Sequence, residues 1–87
     1  MTPIFIVSGG TGFNSEQLLR TALAQFPDAD VKITIISGIR RPEQLENAVA
    51  QAAAAGGLIV HTLVNTELRH TLERLANSRN APTVDLM

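Results

Sequence analysis

Short apolar runs alternate with amphipathic stretches along this chain, and the alternation predicts four strands separated by three helices. The apolar runs are Ile4–Val7, Val31–Ile36, Leu58–Val64 and the shorter Pro82–Leu86. Runs of this length that are rich in Ile and Val are typical of strands buried in a sheet. Between the runs, apolar residues recur at helical spacing. These helical positions are Leu18, Leu19, Ala22, Leu23 and Phe26, then Leu45, Ala48, Val49, Ala52 and Ala53, and finally Leu68, Leu72, Leu75 and Ala76.

Capping residues set the predicted helix boundaries. Asn14 is the predicted N-cap of a first helix over Ser15–Gln25. Proline suits the first position of a helix and glycine the position after its end, so a second helix is predicted over Pro42–Ala55, before two glycines. Asn65 or Thr66 caps the third helix.

The element order βαβαβαβ predicts a single α/β domain over residues 1–87. Strands joined through helices require right-handed crossovers and a mainly parallel sheet. We therefore expect a small doubly wound, three-layer domain with a mainly parallel four-stranded sheet, in a flavodoxin-like or Rossmann-like strand order. In such sheets the loops after the strands gather at one edge, and ligands bind where the strand order reverses. The loops Ser8–Asn14, Ser37–Arg41 and Val64–Glu67 are expected at that edge.

A glycine-rich turn after the first strand is the strongest candidate for a binding site. Three glycines within four positions permit positive φ and close backbone approach, and the N–H groups of the following helix point back at the turn. Such a turn suits a phosphate or carboxylate. The candidate ligand-binding residues are Ser8, Gly9, Gly10, Thr11, Gly12 and Asn14.

The turn matches neither standard phosphate motif. The only lysine, Lys32, lies far from it, which excludes a P-loop, and Ser15 stands where a dinucleotide-binding turn has its third glycine. The glycines could therefore serve only to let strand and helix pack closely, and both interpretations remain open.

Charged and titratable residues add fewer candidates. Arg40 and Arg41, which follow the second strand, are auxiliary candidates for binding a phosphate. The alternative is that they form a solvated pair at the surface. His61 lies within an apolar strand and is interpreted as a packed histidine rather than a base. Asp85 is a weaker candidate for a carboxylate at the loop edge, and no spacing of histidines and acids predicts a metal site.

Composition excludes several classes of function. The 87 residues carry a formal charge of −1, which argues against a nucleic-acid surface or an electrostatic membrane anchor. There is no cysteine, and the N-terminus has no pattern of a secretory leader, so we expect a cytoplasmic protein.

Taken together, the motifs resemble the N-terminal part of the bacterial pyruvate, phosphate dikinase and phosphoenolpyruvate synthase regulatory proteins, which are bifunctional kinases and pyrophosphorylases. The matching segments are Ile4–Ser8, Gly10–Gly12 with Glu16 and Leu18, Thr62–Val64 with Glu67–Arg69, and Val84–Leu86.

The resemblance implies an ADP-dependent kinase that phosphorylates a threonine of the dikinase or the synthase and removes the group with inorganic phosphate, releasing pyrophosphate. It places the P-loop in a later domain. We therefore expect no cofactor in this chain itself, with ADP and phosphate serving the full-length protein, and no catalysis by this part alone.

The chain departs from the family pattern at two places. Gly9 stands where the family usually has an aspartate, and Asn14-Ser15 replace a common threonine-alanine pair. Two alternatives to a regulatory or substrate-recognition domain also remain open. One is a free-standing module that binds a phosphorylated metabolite or nucleotide, and the other is a structural domain that forms a homodimer.

Overall fold

The computed structural model describes residues 1–86 and contains the alternating elements that the sequence predicts. The strands are β1 (Thr2–Val7), β2 (Val31–Ile36), β3 (Leu58–His61) and β4 (Thr83–Asp85), and the helices are α1 (Phe13–Leu23), α2 (Pro42–Ala55) and α3 (Thr66–Ser78). The predicted bounds of β2 and α2 are confirmed.

All strand pairs of the sheet are parallel, in the order β2-β1-β3-β4. In register, Ile6 of β1 lies between Ile35 of β2 and Val60 of β3, and His61 of β3 faces Asp85 of β4. This confirms the predicted parallel α/β sheet. The order is that of the flavodoxin-like arrangement rather than the Rossmann arrangement.

The two faces of the sheet are covered unequally. Helices α2 and α3 pack on the face that carries Phe5, Val7 and Ile59, and this side holds the larger core. Helix α1 covers the other face, where a smaller cluster surrounds Ile6 and receives Leu19 from the helix. The apolar face predicted for α1 is only partly buried, because its Leu18 is 59% exposed.

Several predicted boundaries are wrong, and the two that bear on the site are the start of α1 and the end of β3. Helix α1 begins at Phe13 rather than at Ser15, because Gly12 takes the N-cap position with a φ of 81°. Asn14 therefore lies within the first turn and is not the cap. The third strand ends at His61 instead of Val64, because the chain then turns toward the start of α3.

The cap of α3 is Asn65 rather than Thr66, and it yields a stability prediction. The Oδ1 atom of Asn65 accepts a hydrogen bond of 3.0 Å from the backbone N–H of Leu68. We expect Asn65→Ala to lower the free energy of unfolding by about 1 kcal/mol, because a first-turn N–H loses its acceptor. Urea unfolding followed by far-UV circular dichroism measures the change. Thr66→Ala is the matched control, and equal losses in the two variants would contradict the assignment of the cap.

Candidate anion-binding site

The glycine turn lies at the point where the strand order reverses. Strand β2 lies on one side of β1, and β3 lies on the other side. The strand order therefore reverses between β1 and β3, and the crevice outside the ends of the strands lies there. Open parallel sheets bind ligands at this place, outside the carboxyl ends of their strands. The residues that follow these two strands, Ser8–Gly12 and Thr62–Asn65, come together there and line two clefts.

Hydrogen bonds within the turn fix its shape. The hydroxyl of Ser8 accepts the N–H of Gly10 at 3.1 Å, and the hydroxyl of Thr11 accepts the N–H of Phe13 at 3.2 Å. The turn is also tied to the loop after β2, because the carbonyl of Gly10 accepts the N–H of Gly38 at 3.0 Å. Both hydroxyls named as candidates from the sequence thus support the turn itself.

Only one glycine of the turn is required by its conformation. Gly12 has a φ of +81°, and a Cβ atom there would lie 2.6 Å from Cγ2 of Ile35. A Cβ atom on Gly10 would meet nothing closer than the Ser8 hydroxyl at 3.9 Å. Gly12 therefore lets α1 start close against β2, whereas Gly10 leaves room above the sheet.

The first turn of α1 presents backbone donors to the cleft. The N–H of Glu16 donates to the carbonyl of Gly12 at 2.9 Å and closes the first helical turn. The N–H groups of Asn14 and Ser15 come before that bond and have no acceptor within the helix. Glu16 also lies in this first turn, and its carboxylate pairs with Arg20, whose Nη2 lies 2.7 Å from Oε2. The arginine offsets part of the negative charge of Glu16 at this end of the helix.

Two further hydroxyls complete this cleft, and sequence reasoning missed both as ligand-binding groups. Ser15 Oγ and Thr62 Oγ1 lie 2.9 Å apart and join the first turn of α1 to the end of β3. Thr62 was not identified because the predicted β3, which extended to Val64, placed it inside the strand. Had the strand been ended at His61, the threonine would have been the first loop residue after a parallel strand, which is a position that faces ligands.

The first cleft, which we call the hydroxyl cleft, has a volume of about 290 Å³. It is lined by Ser8, Thr11, Ser15 and Thr62 and by the apolar side chains of Phe13, Leu18 and Leu86, among others. Among the described residues, its lining contains no acid, base or histidine. Such a set of groups can donate hydrogen bonds to an oxyanion but offers neither a general base nor a nucleophile activated by one.

The side chains of Arg40 and Arg41 lie in different surroundings. The Arg40 guanidinium donates to the carbonyls of Gly9 and Ile39 and lines the second cleft, of about 310 Å³, on the other side of Gly10. Arg41 lines neither cleft, and its Nε lies 4.0 Å from Oε2 of Glu43 at the surface. Arg40 therefore lies near the turn and Arg41 does not, and an auxiliary role of either arginine in binding a ligand stays a prediction.

His61 is buried beneath α3 next to these clefts. Its side chain is 0% exposed, and neither ring nitrogen has a hydrogen-bond partner among residues 1–86. Burial lowers the pKa of His61; nearby Asp85 and Glu73 oppose this effect, and Arg69 adds to it. The histidine is packed in the core, which agrees with its interpretation from the sequence.

The described part of the chain contains neither a metal-binding cluster nor a membrane-spanning helix. No group of three or more His, Cys, Asp or Glu side chains among residues 1–86 could hold a metal ion. In the same residues, none of the helices combines the length and the apolar character needed to cross a membrane.

A parallel sheet with a hydroxyl-lined cleft at its switch point defines the class of the chain, a small α/β domain whose candidate ligand site lies at that point. The chain belongs to the kinase/pyrophosphorylase family, whose model matches residues 4–87. The resemblance inferred from the sequence motifs is thereby confirmed.

Relatives of the chain carry the name pyruvate, phosphate dikinase regulatory protein. The chain is 42% identical over 98% of its length to one from Chloroflexus aurantiacus. It is 37% identical over its full length to one from Geotalea uraniireducens, and 36% identical over 97% of its length to one from Sorangium cellulosum. The chain spans 30%, 32% and 30% of these three relatives, or about a third of their length.

Proposed function

We propose that this chain is the regulatory or substrate-recognition domain of a bifunctional serine/threonine kinase and phosphorylase that acts on pyruvate, phosphate dikinase. Family membership and the names of the relatives support the target. Phosphoenolpyruvate synthase, the other target implied by the resemblance, stays a prediction, as do ADP and phosphate as the substrates of the full-length protein.

The contribution of this domain is to bind an oxyanion in the hydroxyl cleft, and one observation carries this proposal. Backbone donors of the first turn of α1 and the hydroxyls of Ser8, Ser15 and Thr62 converge on one cleft at the switch point of the sheet. Donors that are already in place bind an anion without a large reorganisation cost. Because no titratable side chain lines the cleft among the described residues, the domain is proposed to bind and not to catalyse.

Stabilisation by ligand tests this proposal. A ligand that binds only the folded chain raises the free energy of unfolding, by about 2.7 kcal/mol at a concentration one hundred times its Kd. We expect inorganic phosphate or pyrophosphate to raise the urea midpoint of the chain. In Ser15→Ala, which removes a hydroxyl that lines the hydroxyl cleft but not the second cleft, we expect about a tenfold weaker affinity for the same anion. Far-UV circular dichroism is the readout because the chain contains no Trp or Tyr.

Arg41→Gln and Arg40→Gln are the matched controls for charge. Arg41 lies outside both clefts, so its replacement should leave anion binding unchanged. Arg40 lines only the second cleft, and its replacement should matter only if the anion reaches across Gly10. If Ser15→Ala binds as tightly as the parent chain while Arg40→Gln does not, the anion lies in the second cleft and the assignment to the hydroxyl cleft is wrong.

A further inference from the structure

The hydroxyl cleft has two chemically different walls. One wall carries the hydroxyls of Ser8, Thr11, Ser15 and Thr62. The other is formed by Phe13 and Leu18 of α1 and by Leu86 just after β4. These three apolar side chains are 62%, 59% and 36% exposed. A cleft that served inorganic phosphate alone would need only the first wall.

The hydroxyls of the polar wall have donor capacity that their internal hydrogen bonds do not use. Ser8 and Ser15 are only 6% and 4% exposed. The Ser8 oxygen accepts the Gly10 N–H, but its own proton has no acceptor among the described residues. Ser15 and Thr62 share one hydrogen bond, so one proton of that pair is also left over. These hydroxyls can therefore each donate to an acceptor that enters the cleft.

We propose that the ligand of the hydroxyl cleft is a small oxyanion that carries an apolar group, such as a phosphate monoester of a compact apolar alcohol. This inference rests on the proposed function, because it assumes that the cleft binds an anion. The anionic head accepts hydrogen bonds from the hydroxyls and the first turn of α1, and the apolar group packs against Phe13, Leu18 and Leu86. The volume of about 290 Å³ lies at the lower end of the range for ligand pockets, which favours a small molecule.

Comparison of phenyl phosphate with inorganic phosphate tests the inference on the chain itself. We expect phenyl phosphate to bind about tenfold more tightly in a calorimetric or NMR titration, since the ring covers exposed apolar surface. Phenol, which lacks the anionic head, should bind much more weakly than either. In Leu18→Gln the advantage of phenyl phosphate over inorganic phosphate should disappear.

Phe26→Ser is the matched control for Leu18→Gln. Phe26 is 64% exposed but lies beyond the other end of α1 and does not line the cleft, so the preference should persist in that variant. Equal affinities for phosphate and phenyl phosphate in the parent chain would overturn the inference and leave the proposed function standing. A preference that survives in Leu18→Gln would also overturn it.

The remaining outcomes separate this inference from the proposed function and from self-association. If neither phosphate nor phenyl phosphate binds, the proposed anion site itself is wrong. If sedimentation shows a dimer that Leu18→Gln dissociates, the apolar wall is an interface between two copies of the chain, and the inference is again overturned.

Discussion

Gly12→Ala is expected to lower the free energy of unfolding by about 2–5 kcal/mol and to abolish anion binding in the remaining folded protein. Two costs add in this variant. An L-residue at a φ of +81° is strained, and the new Cβ atom would lie 2.6 Å from Cγ2 of Ile35. Relief of the clash requires the start of α1 to move away from β2, and this movement displaces the backbone donors of the first turn.

Urea unfolding of two further variants separates the two contributions to the loss of stability, backbone strain and the clash with Ile35. Gly10→Ala is the matched control, since the new methyl group meets nothing closer than 3.9 Å, and its effect should stay within about 0.5 kcal/mol. In an Ile35→Ala background the clash is absent, so Gly12→Ala should cost less there than in the parent chain. Equal costs for Gly10→Ala and Gly12→Ala would show that the turn does not depend on Gly12.

Lowering the pH below about 6.5 is expected to destabilise the chain through His61. Burial lowers the pKa of His61 in the folded state, although Asp85 and Glu73 oppose it and Arg69 supports it. The unfolded chain therefore binds a proton at a higher pH than the folded chain. Stability contributed by neutral His61 is full above the unfolded pKa and is lost as the pH falls from there toward the folded pKa. A single group of this kind gives a slope of at most about 1.4 kcal/mol per pH unit.

His61→Leu isolates this contribution. The leucine removes the two unpaired ring nitrogens and the titration, so the pH dependence of unfolding between pH 7.5 and 5 should be shallower than in the parent chain. His70 is exposed on α3, and His70→Gln is the matched control that should keep the parent slope. If the free energy of unfolding varies with pH in the same way in the parent chain and in His61→Leu, His61 is not held neutral by its surroundings.

Local sequence signals predicted the elements well where strong boundary residues flank them. Proline at position 42 and the αL glycine at position 56 bracket α2, and its predicted bounds are the observed ones. Strand β2 is likewise predicted to the residue, since its apolar run ends at a Ser-Gly pair. The parallel class follows from the alternation of strands and helices, because crossovers leave few other arrangements.

Features that depend on tertiary contacts could not be predicted in the same way. The strand order is set by which faces the helices cover, and the sequence pattern allowed either of two orders. Asn14 is a good cap by propensity, but the close approach of α1 to Ile35 selects Gly12 instead. Correct strand bounds alone would have placed Thr62 at the sheet edge, but its pairing with Ser15, which lies 47 positions away along the chain, is a tertiary contact that the sequence does not predict.

An NMR titration of the ¹⁵N-labelled chain with inorganic phosphate and pyrophosphate tests most directly whether the hydroxyl cleft binds an anion. The amides of Asn14 and Ser15 report on the free donors of α1, and the amide of Thr62 reports on the opposite side of the cleft. We predict saturable shifts at these amides with either anion, with weaker binding in Ser15→Ala and unchanged binding in Arg41→Gln. Absence of shifts at Asn14, Ser15 and Thr62 at millimolar anion, in a chain that is demonstrably folded, would contradict the assignment of the cleft.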